Sequence, residues 1–471
     1  MISASALHSL WLTIENWQHE LLLFSAIWFL VGALDDLAVD ALWLLHRSGR
    51  WLARYRIAAP MRASELPAPS ERGLIAIFIP TWREAKVIAA MIGRCQAAWG
   101  DCQTTYRIYI GCYPNDREGI AAIMACCSQY GQARLVLCDN QGPTSKADCL
   151  NRLWRALISD ELAAGIKAKA IVLHDAEDMV HPDELRVFDY LIERATAVQL
   201  PVIPVRVPGS LWISGHYCDE FAEAHGKALV VREAVGAAVP LAGVGCAISR
   251  THLGKIALAN GGQPFDKTSL TEDYELGLGV AGEGSRTIFA RIQDESGQLV
   301  GTRACFPDTL NSAVRQKARW MTGIALAGWD RLGWQGGFVE FWMRLRDRKA
   351  VFAAIVLTAA YACILLTAVL ILGQLAGFHQ PKPFGDFLLT LLTINAVLLL
   401  WRQIVRACFV ARVHGRRESL ISVPRTLIGN IIAIMAARRA VGDYVRHIFG
   451  AALRWDKTAH SHFPGSTAST N

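Results

Sequence analysis

The sequence predicts an α/β protein in which a mostly parallel sheet domain is inserted between transmembrane helices. Two observations lead to this fold class. Short β-branched runs alternate with helical stretches from residue 74 onward, and such alternation builds right-handed βαβ units around a parallel sheet. Long apolar runs stand on both sides of this region, in a chain of 471 residues that is 52% hydrophobic and only 19% charged. A wholly soluble protein would carry more charge.

Charge and cysteine content exclude other classes of protein. The net charge is +7, but Lys and Arg gather beside the apolar runs and do not form a basic stripe interleaved with aromatic residues. We therefore expect membrane lipid as a partner and no nucleic acid. The twelve cysteines include no C-x-x-C pair and no Cys/His cluster at ligand spacing, which argues against a zinc site.

Three apolar runs are predicted to cross the membrane as helices. Residues 350–373 are uncharged and long enough to span about 30 Å of hydrocarbon. Residues 387–411 span only if Arg402 and Arg406 face protein or snorkel. Residues 21–45 contain three carboxylates, which either lie near one boundary or are functional, because charge inside lipid is costly. These carboxylates are Asp35, Asp36 and Asp40.

Arginine-rich flanks orient these spans. Basic groups follow the first run, precede the second and follow the third, so the positive-inside rule places all three flanks and the sheet domain in the cytoplasm. Residues 426–437 are too short to span and are followed by Arg438 and Arg439, so we expect them to lie in the interface. The predicted segments are 1–56 (first span and basic flank), 57–325 (sheet domain), 326–349 (interfacial amphipathic helices), 350–411 (two spans) and 412–471 (interfacial helix and a polar, disordered tail).

Four strands are predicted in the sheet domain, and each is followed by a helix. Ligands of parallel sheets bind at the carboxyl ends of the strands, and polar side chains gather there. Thr81 and Glu84 follow the first strand, Asp116 the second and Asp175 the fourth. The predicted strands are 74–80, 106–111, 133–139 and 170–175, and the helices after the first, third and fourth strands begin near Glu84, Thr144 and Asp183.

The segment HDAEDMVHPDEL (174–185) is the strongest local acidic cluster. Asp175 ends a predicted strand and Glu177 follows two residues later, so both carboxylates can reach one hard cation that is shared with substrate phosphates. Asp178 is a third candidate ligand. The same acids also suit helix caps and solvated turns. No partner spacing supports zinc at the two histidines of this segment.

Two further stretches carry residues suited to catalysis. TEDYELG (271–277) places Glu272 and Asp273 side by side, and a carboxylate near a bound hydroxyl can remove its proton. The alternative is an exposed helix start, where acids are favoured by the helix dipole. RQKARW (315–320) combines a guanidinium for a diphosphate with an indole for a sugar face. Its alternative is an amphipathic helix at the membrane surface.

Taken in order, three motifs resemble the processive branch of glycosyltransferase family 2, which includes cellulose, hyaluronan and poly-N-acetylglucosamine synthases. They are Asp-x-Glu at 175–177, Thr-Glu-Asp at 271–273 and Gln-x-x-Arg-Trp at 316–320, followed by a membrane span. The stretches IPTWRE (79–84), GPTSKADCLN (142–151) and LAGVGCAISR (241–250) match further elements of the branch. The resemblance covers roughly residues 74–410.

This resemblance implies a GT-A-type, Rossmann-like sheet and an inverting transfer from a UDP-sugar. It implies Mg²⁺ or Mn²⁺ held by Asp175 and Glu177, with Asp178 as the third candidate. The implied base on the acceptor hydroxyl is Asp273, with Glu272 beside it. Nucleotide-sugar contacts are implied for Thr81, Glu84, Asp116, Lys146, Asp175 and Arg319, and acceptor contacts for Gln316, Trp320 and Gly243.

Within the branch, DDLAVD near the first span, YIGCYPND (109–116) and RQKARWMTGIAL resemble inner-membrane glycosyltransferases of the bacteriophage adsorption protein B type. That type is linked to a secreted surface polysaccharide. Its long members carry a carboxyl-terminal cyclic-di-GMP-binding region, for which we expect no room before Asn471. The family's Asp-Asp-Gly-Ser element is Asn-Asp-Arg-Glu at 115–118 here, which weakens the assignment of Asp116 to the uracil.

The resemblance therefore implies sugar transfer to a growing polysaccharide in a bacterial inner membrane, with an outer-membrane export partner as a further expectation. One alternative is transfer of a single sugar to a lipid, with a glycolipid as product. Another is a catalytically idle membrane subunit or receptor of an export system, although such a subunit needs none of these carboxylates. A transporter is disfavoured because three spans without internal repeats do not make an alternating-access fold.

Overall fold

The computed structural model of the protein describes residues 4–54, 62–280, 285–380 and 382–451. The predicted polar tail at the end of the chain and part of the first basic flank lie outside the described residues. Within the described residues, α-helices alternate with the strands of a central sheet, as the sequence predicts.

The described part of the chain forms a seven-stranded sheet in the order β3-β2-β1-β4-β7-β5-β8. Strands β1 to β4 are mutually parallel, and β7 runs antiparallel between β4 and β5. The four predicted strands and the mostly parallel, GT-A-type fold class are confirmed. The sequence patterns missed the short strands after β4. The strands are β1 (Leu74–Pro80), β2 (Tyr106–Cys112), β3 (Ala133–Leu137), β4 (Ala168–Leu173), β5 (Ala197–Gln199), β6 (Val202–Val205), β7 (Cys246–Ser249), β8 (Thr287–Phe289) and β9 (Thr302–Cys305).

Helices cover both faces of this sheet, so β1 is buried on both sides. Ile75 and Ile77 of β1 pack into one apolar core, and Ala76 and Phe78 pack into the other. A continuous apolar run is typical of a parallel strand covered on both faces. The covering helices are α2 (Ala85–Trp99), α3 (Arg117–Gln129) and α5 (Glu184–Leu191) on one face, and α4 (Lys146–Ala164), α8 (Arg250–Ala259) and α9 (Glu272–Gly279) on the other.

Two helical segments between the sheet and the long apolar helices contain π-helical turns. The first runs from α6 (Ile213–Glu223) through the turn Ala224–Ala228 into α7. The second runs from α10 (Leu310–Met321) through the turn Thr322–Leu326 into α11. Such turns occur frequently at functional sites. The remaining bounds are α7 (Leu229–Ala234), α11 (Ala327–Leu332) and α12 (Phe338–Arg348), and β6 pairs with β9 in a small second sheet.

Four helices in the described residues are long and apolar enough to cross a membrane. Three of them contain the three predicted spans. The fourth corrects a prediction, because the run 426–437 lies within a continuous helix of 33 residues and is not a short one. Charged residues interrupt its hydropathy, which concealed its length. The four helices are α1 (Ala4–Arg54), α13 (Ala350–Leu375), α14 (Asp386–His414) and α15 (Arg416–Ile448).

One face of α15 packs along the sheet domain. Arg425 is fully buried and its Nη1 donates to Asp219 of α6 at 3.0 Å. Further along, Ala436 and Ala440 pack against Ala318 of α10. The opposite face carries an exposed apolar stripe at helical spacing, which is the pattern of a helix lying on lipid. The stripe is Leu420, Val423, Leu427, Ile431, Met435, Val441, Val445 and Ile448.

Ion pairs join α1 to the other helices, and they account for the three carboxylates of the first apolar run. Asp40 accepts from Lys227 in the first π-helical turn at 2.5 Å. Asp36 pairs with Arg402 of α14 at 2.6 Å. Asp35 accepts from Lys349 at 2.5 Å and also pairs with Arg346. These carboxylates therefore join α1 to α14, to the start of α13 and to the first π-helical turn.

Candidate active site

A cleft of about 350 Å³ lies at the carboxyl ends of β1 and β4. The sequence predicted a ligand site at this edge of the sheet, and the structure brings nearly all of the predicted residues together there. Asp116 and Gly243 are the exceptions among the described residues. The predicted residues that line the cleft are Thr81, Glu84, Lys146, Asp175, Glu177, Asp178, Glu272, Asp273, Gln316, Arg319 and Trp320.

The turn after β1 forms one wall of the cleft. Thr81 is held by two bonds, since its backbone N–H and its hydroxyl both donate to the Gly111 carbonyl at 2.8 Å. Glu84 accepts from the Trp82 N–H at 3.2 Å. The Trp82 ring meets the ring of Tyr113 edge to face at 5.4 Å. This wall offers aromatic surface on which a nucleobase can stack.

Asp116 performs a structural role next to this wall. Its Oδ1 accepts from the Gly119 N–H at 3.0 Å and so caps α3. Its Oδ2 accepts from the Arg83 N–H at 2.6 Å, which fixes the turn after β1. Both carboxylate oxygens are thus used by backbone donors, and Asp116 does not line the cleft among the described residues. Its predicted contact with the uracil stays a prediction.

Lys146 stands at the first residue of α4 and points into the middle of the cleft. Its Nζ lies 2.6 Å from Asp175 Oδ1 and donates to the Gly243 carbonyl at 3.3 Å. Burial acts to lower the pKa of Lys146, but the charges of Asp175, Glu272 and Asp273 outweigh burial and raise that pKa. The ammonium is therefore held charged beside the carboxylates.

A buried histidine holds the turn after β4. His174 Nδ1 lies 2.9 Å from Asp178 Oδ2, and its Nε2 lies 2.6 Å from Glu184 Oε1. Burial acts to lower the pKa of His174, but the two carboxylates raise it to about 10. Asp178 Oδ2 also accepts a hydrogen bond from the Asp175 N–H at 3.0 Å. Glu184, His174 and Asp178 thus form a chain that ends on the backbone of Asp175.

The predicted set of three metal ligands does not assemble. No group of three or more His, Cys, Asp or Glu side chains in the described residues is placed to hold a metal ion. Asp178 is held by His174, although its Oδ1 is buried without a hydrogen-bond partner among the described residues. Asp175 and Glu177 remain at the cleft. Two carboxylates and a substrate diphosphate suffice for Mg²⁺ or Mn²⁺, so the residues present fit such an ion.

Glu272 and Asp273 occupy the first turn of α9 and face Lys146 and Arg319. A helix amino terminus favours ionised carboxylates by about 0.3–1 kcal/mol, which corresponds to less than one pKa unit. Burial works in the other direction and dominates. Burial and the neighbouring Asp273 raise the pKa of Glu272 from 4.5 to about 7. Burial also raises the pKa of Asp273. Both carboxyl groups therefore have raised proton affinity, which suits a general base.

Gly243 lies behind this pair. Its φ of +72° favours glycine, and a Cβ at this position would lie 2.5 Å from Asp273 Oδ2. The carbonyl of Gly243 accepts from Lys146. Gly243 therefore fixes the position of two cleft side chains through its backbone, and its predicted contact with the acceptor stays a prediction.

The Gln-x-x-Arg-Trp motif lies on α10, and its side chains form the opposite wall. Gln316 Oε1 and Arg319 Nε are buried without a hydrogen-bond partner among the described residues. Both residues line the cleft, so these groups are available to a ligand. Trp320 packs against the rings of Phe306 and Tyr217 at centroid distances of 6.5 and 6.2 Å. The aromatic neighbours hold its indole at the cleft.

Several lining residues were not singled out from the sequence. Trp82 and Tyr113 lie inside two of the stretches that resembled the family, so these motifs held a usable signal. Phe221, His225 and Leu229 also line the cleft. They belong to the segment with the first π-helical turn, which carries no motif and is brought to the cleft by tertiary packing alone.

The sheet domain contains the segment that identifies the family of the chain. A model of the family described as glycosyltransferase like family 2 matches residues 72–323, more than half of the chain. The chain belongs to this family. The matched segment begins just before β1, ends in the second π-helical turn and contains every residue predicted for the site, which confirms the predicted glycosyltransferase family.

Curated relatives of this glycosyltransferase extend the likeness into the long helices. The chain is 35% identical to bacteriophage adsorption protein B of Escherichia coli strain K12 over an alignment of 466 residues, which covers 94% of this chain. Bacteriophage N4 adsorption protein B of Escherichia coli O157:H7 matches equally. The chain spans 62% of the length of these relatives. The resemblance to the adsorption protein B type is thus confirmed.

Among solved structures, the glycosyltransferase resembles a mannosyltransferase from Pyrobaculum calidifontis in complex with GDP-Man and Mn²⁺. The sequences are 16% identical, the TM-score is 0.49, and the match covers 91% of this chain and 99% of the other. Glucosyl-3-phosphoglycerate synthase from Mycobacterium tuberculosis matches at 16% identity with a TM-score of 0.33, covering 57% of this chain and 82% of the other.

Proposed function

We propose that the protein transfers a sugar from a UDP-sugar to a hydroxyl of a growing polysaccharide, with inversion at the anomeric carbon. The observation that carries this proposal is the convergence of three kinds of side chain in one cleft. Lys146 and Arg319 supply positive charge, Glu272 and Asp273 supply carboxylates with raised pKa, and Trp320 supplies an indole. A single displacement needs a stabilised leaving group, a base and a positioned acceptor.

The donor lies with its diphosphate near Lys146 and Arg319. Lys146 is a point charge beside Asp175, and Arg319 has an Nε without a partner among the described residues, which can donate to a phosphate oxygen. A bound Mg²⁺ or Mn²⁺, held by Asp175 and Glu177, would neutralise the charge that develops on the leaving diphosphate. Trp82 stacks on the nucleobase, and Tyr113 supports the Trp82 ring edge to face. Thr81 and Glu84 hold the turn that carries Trp82.

Asp273 acts on the acceptor. Its carboxylate removes the proton from the acceptor hydroxyl while the hydroxyl oxygen attacks the anomeric carbon and the bond to the diphosphate oxygen breaks. The proton stays on Asp273 until it passes to solvent. Glu272 is more buried than Asp273, so Asp273 is the member of the pair that meets the hydroxyl.

The acceptor stacks on Trp320 and leaves the cleft toward the long helices. Phe221 and Leu229, which flank the first π-helical turn, line the same cleft as Trp320. That turn contacts two long helices, since Trp43 of α1 donates to the Gly226 carbonyl at 3.2 Å and Phe409 of α14 packs on Gly226. The cleft therefore reaches a segment on which the bundle packs, and this position favours a polymer that moves into the membrane over a glycolipid product.

The cellular setting follows from the donor and from the relatives. UDP-sugars are cytosolic, so the sheet domain lies in the cytoplasm and the chain is a multi-pass protein of a bacterial inner membrane. The relatives are named for bacteriophage adsorption, which fits a polysaccharide displayed at the cell surface. Display at the surface of such a cell requires an export partner in the outer membrane.

The experiment uses the full chain in lipid vesicles with a panel of UDP-sugars. We expect metal-dependent release of UDP with one sugar and a labelled product of high mass or a ladder of sizes. Release of UDP with only a single-sugar glycolipid as product would contradict the polymer claim. No UDP release with any sugar would favour the idle subunit, provided that the vesicles contain folded protein by circular dichroism.

A further inference from the structure

The junction between α12 and α13 contains four basic residues, and one of them differs from the rest. Arg344 donates to Glu340 at 2.8 Å, and Lys349 donates to Asp35 at 2.5 Å. Arg346 pairs with Asp36 at 2.9 Å. These three cations have carboxylate partners, whereas Arg348 has none among the described residues.

Arg348 is a buried cation without an anion among the described residues. The residue is 5% exposed, and its Nε, Nη1 and Nη2 atoms are all buried without a hydrogen-bond partner in the part of the chain that the structure describes. A buried charge without partners is expensive, and each unpaired donor adds to the cost. Burial lowers the pKa of Arg348 accordingly. An acceptor from outside the described residues that reached the guanidinium would remove this cost.

Two tryptophans hold this guanidinium in place. Its Cζ lies 5.3 Å from the ring centroid of Trp329 and 4.4 Å from that of Trp334. Aromatic rings satisfy the faces of a guanidinium but accept none of the N–H groups that lie in its plane. A planar, fixed set of five donors matches the oxygens of a phosphate group, which takes two parallel hydrogen bonds.

The site lies where lipid head groups are expected. Phe338, Phe341 and Leu345 of α12 are exposed by 81%, 41% and 46%, and their spacing puts them on one face of the helix. Arg348 is three residues further along the same face, where Trp329 and Trp334 cover it. The apolar helix α13 begins two residues later at Ala350. An exposed apolar face followed directly by a span lies in the interfacial layer of a membrane.

We propose that Arg348, framed by Trp329 and Trp334, binds the phosphate group of an anionic membrane lipid. The lipid phosphate supplies the acceptors that the guanidinium lacks, and the acyl chains lie beside the exposed face of α12. Lipid binding does not require the proposed sugar transfer, so the binding site can be tested independently of that function.

A chain of contacts connects the Arg348 site to the cleft. The residue before Arg348 is Asp347, which accepts from the Tyr274 hydroxyl at 2.7 Å and from Arg232 Nη1 at 2.8 Å on each oxygen. Tyr274 directly follows Asp273 on α9. Bound lipid fixes the end of α12 and thereby the contact that α12 makes with α9. Dependence of turnover on anionic lipid is therefore a second consequence, and this one rests on the proposed function.

The direct test is lipid retention by the intact protein in detergent, measured by native mass spectrometry. We expect wild-type protein to retain phosphatidylglycerol in preference to phosphatidylcholine. Arg348→Gln should weaken the retention of phosphatidylglycerol about tenfold or more, because the lost charge-assisted bonds are worth at least about one factor of ten in affinity. The matched control is Arg417→Gln, which removes the same charge from an exposed position at the start of α15.

Further measurements distinguish a lipid phosphate from a free phosphate ion, and a specific site from general surface charge. Inorganic phosphate should not displace the retained lipid, and displacement at equal concentration would assign the site to a free anion and overturn the lipid source. Equal retention of both lipids by wild-type protein would overturn the proposal without any variant, even if Arg348→Gln failed to fold. Equal loss of lipid from Arg417→Gln would reduce the effect to general surface charge and would also overturn it.

Discussion

The proposed reaction depends on one carboxylate more than on any other side chain. Asp273→Asn keeps the size of the side chain and removes the proton acceptor, so turnover should fall by roughly 10²-fold or more while UDP binding persists. UDP release and calorimetric UDP binding measure the two effects. Asp101→Asn, at an exposed position, is the matched control. Near-normal transfer by Asp273→Asn would remove Asp273 from the mechanism.

The raised pKa of the neighbouring carboxyl predicts the pH dependence. Glu272 ionises at about 7 in the folded protein and at 4.5 ordinarily. Between these pH values the folded state binds the additional proton, so the free energy of unfolding falls as the pH rises through this window. Turnover should change in the opposite sense and rise with pH, because burial also raises the pKa of the base Asp273, which must lose its proton to act.

Glu272→Gln separates the roles of the two carboxyl groups through the pH profile of UDP release. The rising part of the profile should stay in place, because burial and the charge of Asp175, which raise the pKa of Asp273, are unchanged in this variant. At pH values above this rise, Glu272→Gln should retain most of the wild-type turnover. If Glu272→Gln instead loses as much turnover as Asp273→Asn, then Glu272 is the base and the roles of the pair are reversed.

Single residues also show where sequence reasoning ends. The motifs singled out carboxylates that line the cleft, because each follows a strand or opens a helix at the ligand edge of the sheet. They did not reveal that backbone N–H groups use both oxygens of Asp116, or that His174 holds Asp178. Those partners become neighbours only when the turns after the strands fold, and no periodicity encodes such contacts.

The loop before β7 positions the base through a glycine. Gly243→Ala places a methyl group against Asp273 Oδ2 in a backbone conformation that disfavours alanine by about 1–2 kcal/mol. We expect a loss of turnover with little change in UDP binding. Gly236→Ala is a close control, since Gly236 has a φ of +77° and a Cβ there would meet no described atom within 4 Å. The Gly236→Ala variant has the backbone strain but no contact with Asp273. Equal losses of turnover in the two variants would therefore contradict the positioning role of Gly243.

The turn after β4 depends on the chain from Glu184 through His174 to Asp178. His174→Gln breaks this chain and loosens the backbone of Asp175, so the Mn²⁺ concentration for half-maximal UDP release should rise by about 10–100-fold. A titration of activity with Mn²⁺ measures this shift, and saturating Mn²⁺ should restore much of the rate. His447→Gln, at the exposed end of α15, is the control. Unchanged metal dependence in His174→Gln would limit the histidine to a role in stability.

Strand length explains which elements the sequence predicted. Strands β1 and β2 have seven residues each, and five consecutive residues of each are buried, so their apolar runs stand out. Strands β5 and β8 have three residues each, which is too short for any period to appear. They extend the sheet because β7 pairs with β5 and β5 with β8, and such pairing is decided by tertiary contacts.

The arrangement of the whole chain depends on how α15 relates to the membrane. Its length and composition permit a crossing, but its packing argues for a position along the surface. Arg425 near its start pairs with Asp219 of the sheet domain, and Tyr444 near its end donates to Asp330 at 2.5 Å. Both ends of α15 thus contact the same side of the molecule. The sequence could not predict this, because Arg425 resembles a charged flank until its buried partner is known.

Cysteine labelling with a reagent that cannot cross the membrane decides the topology. The background variant Cys408→Ser removes the exposed native thiol, and single probes replace Gly385, Arg416 and Gly450. Arginine-rich flanks predict labelling of Gly385→Cys from the periplasmic side and no labelling of Arg416→Cys. An interfacial α15 keeps Gly450→Cys on the same side as Arg416→Cys, because α6 and α11 hold the two ends of the helix. Periplasmic labelling of Gly450→Cys would make α15 a fourth span, and labelling of Arg416→Cys would place the cleft outside, away from cytosolic UDP-sugars.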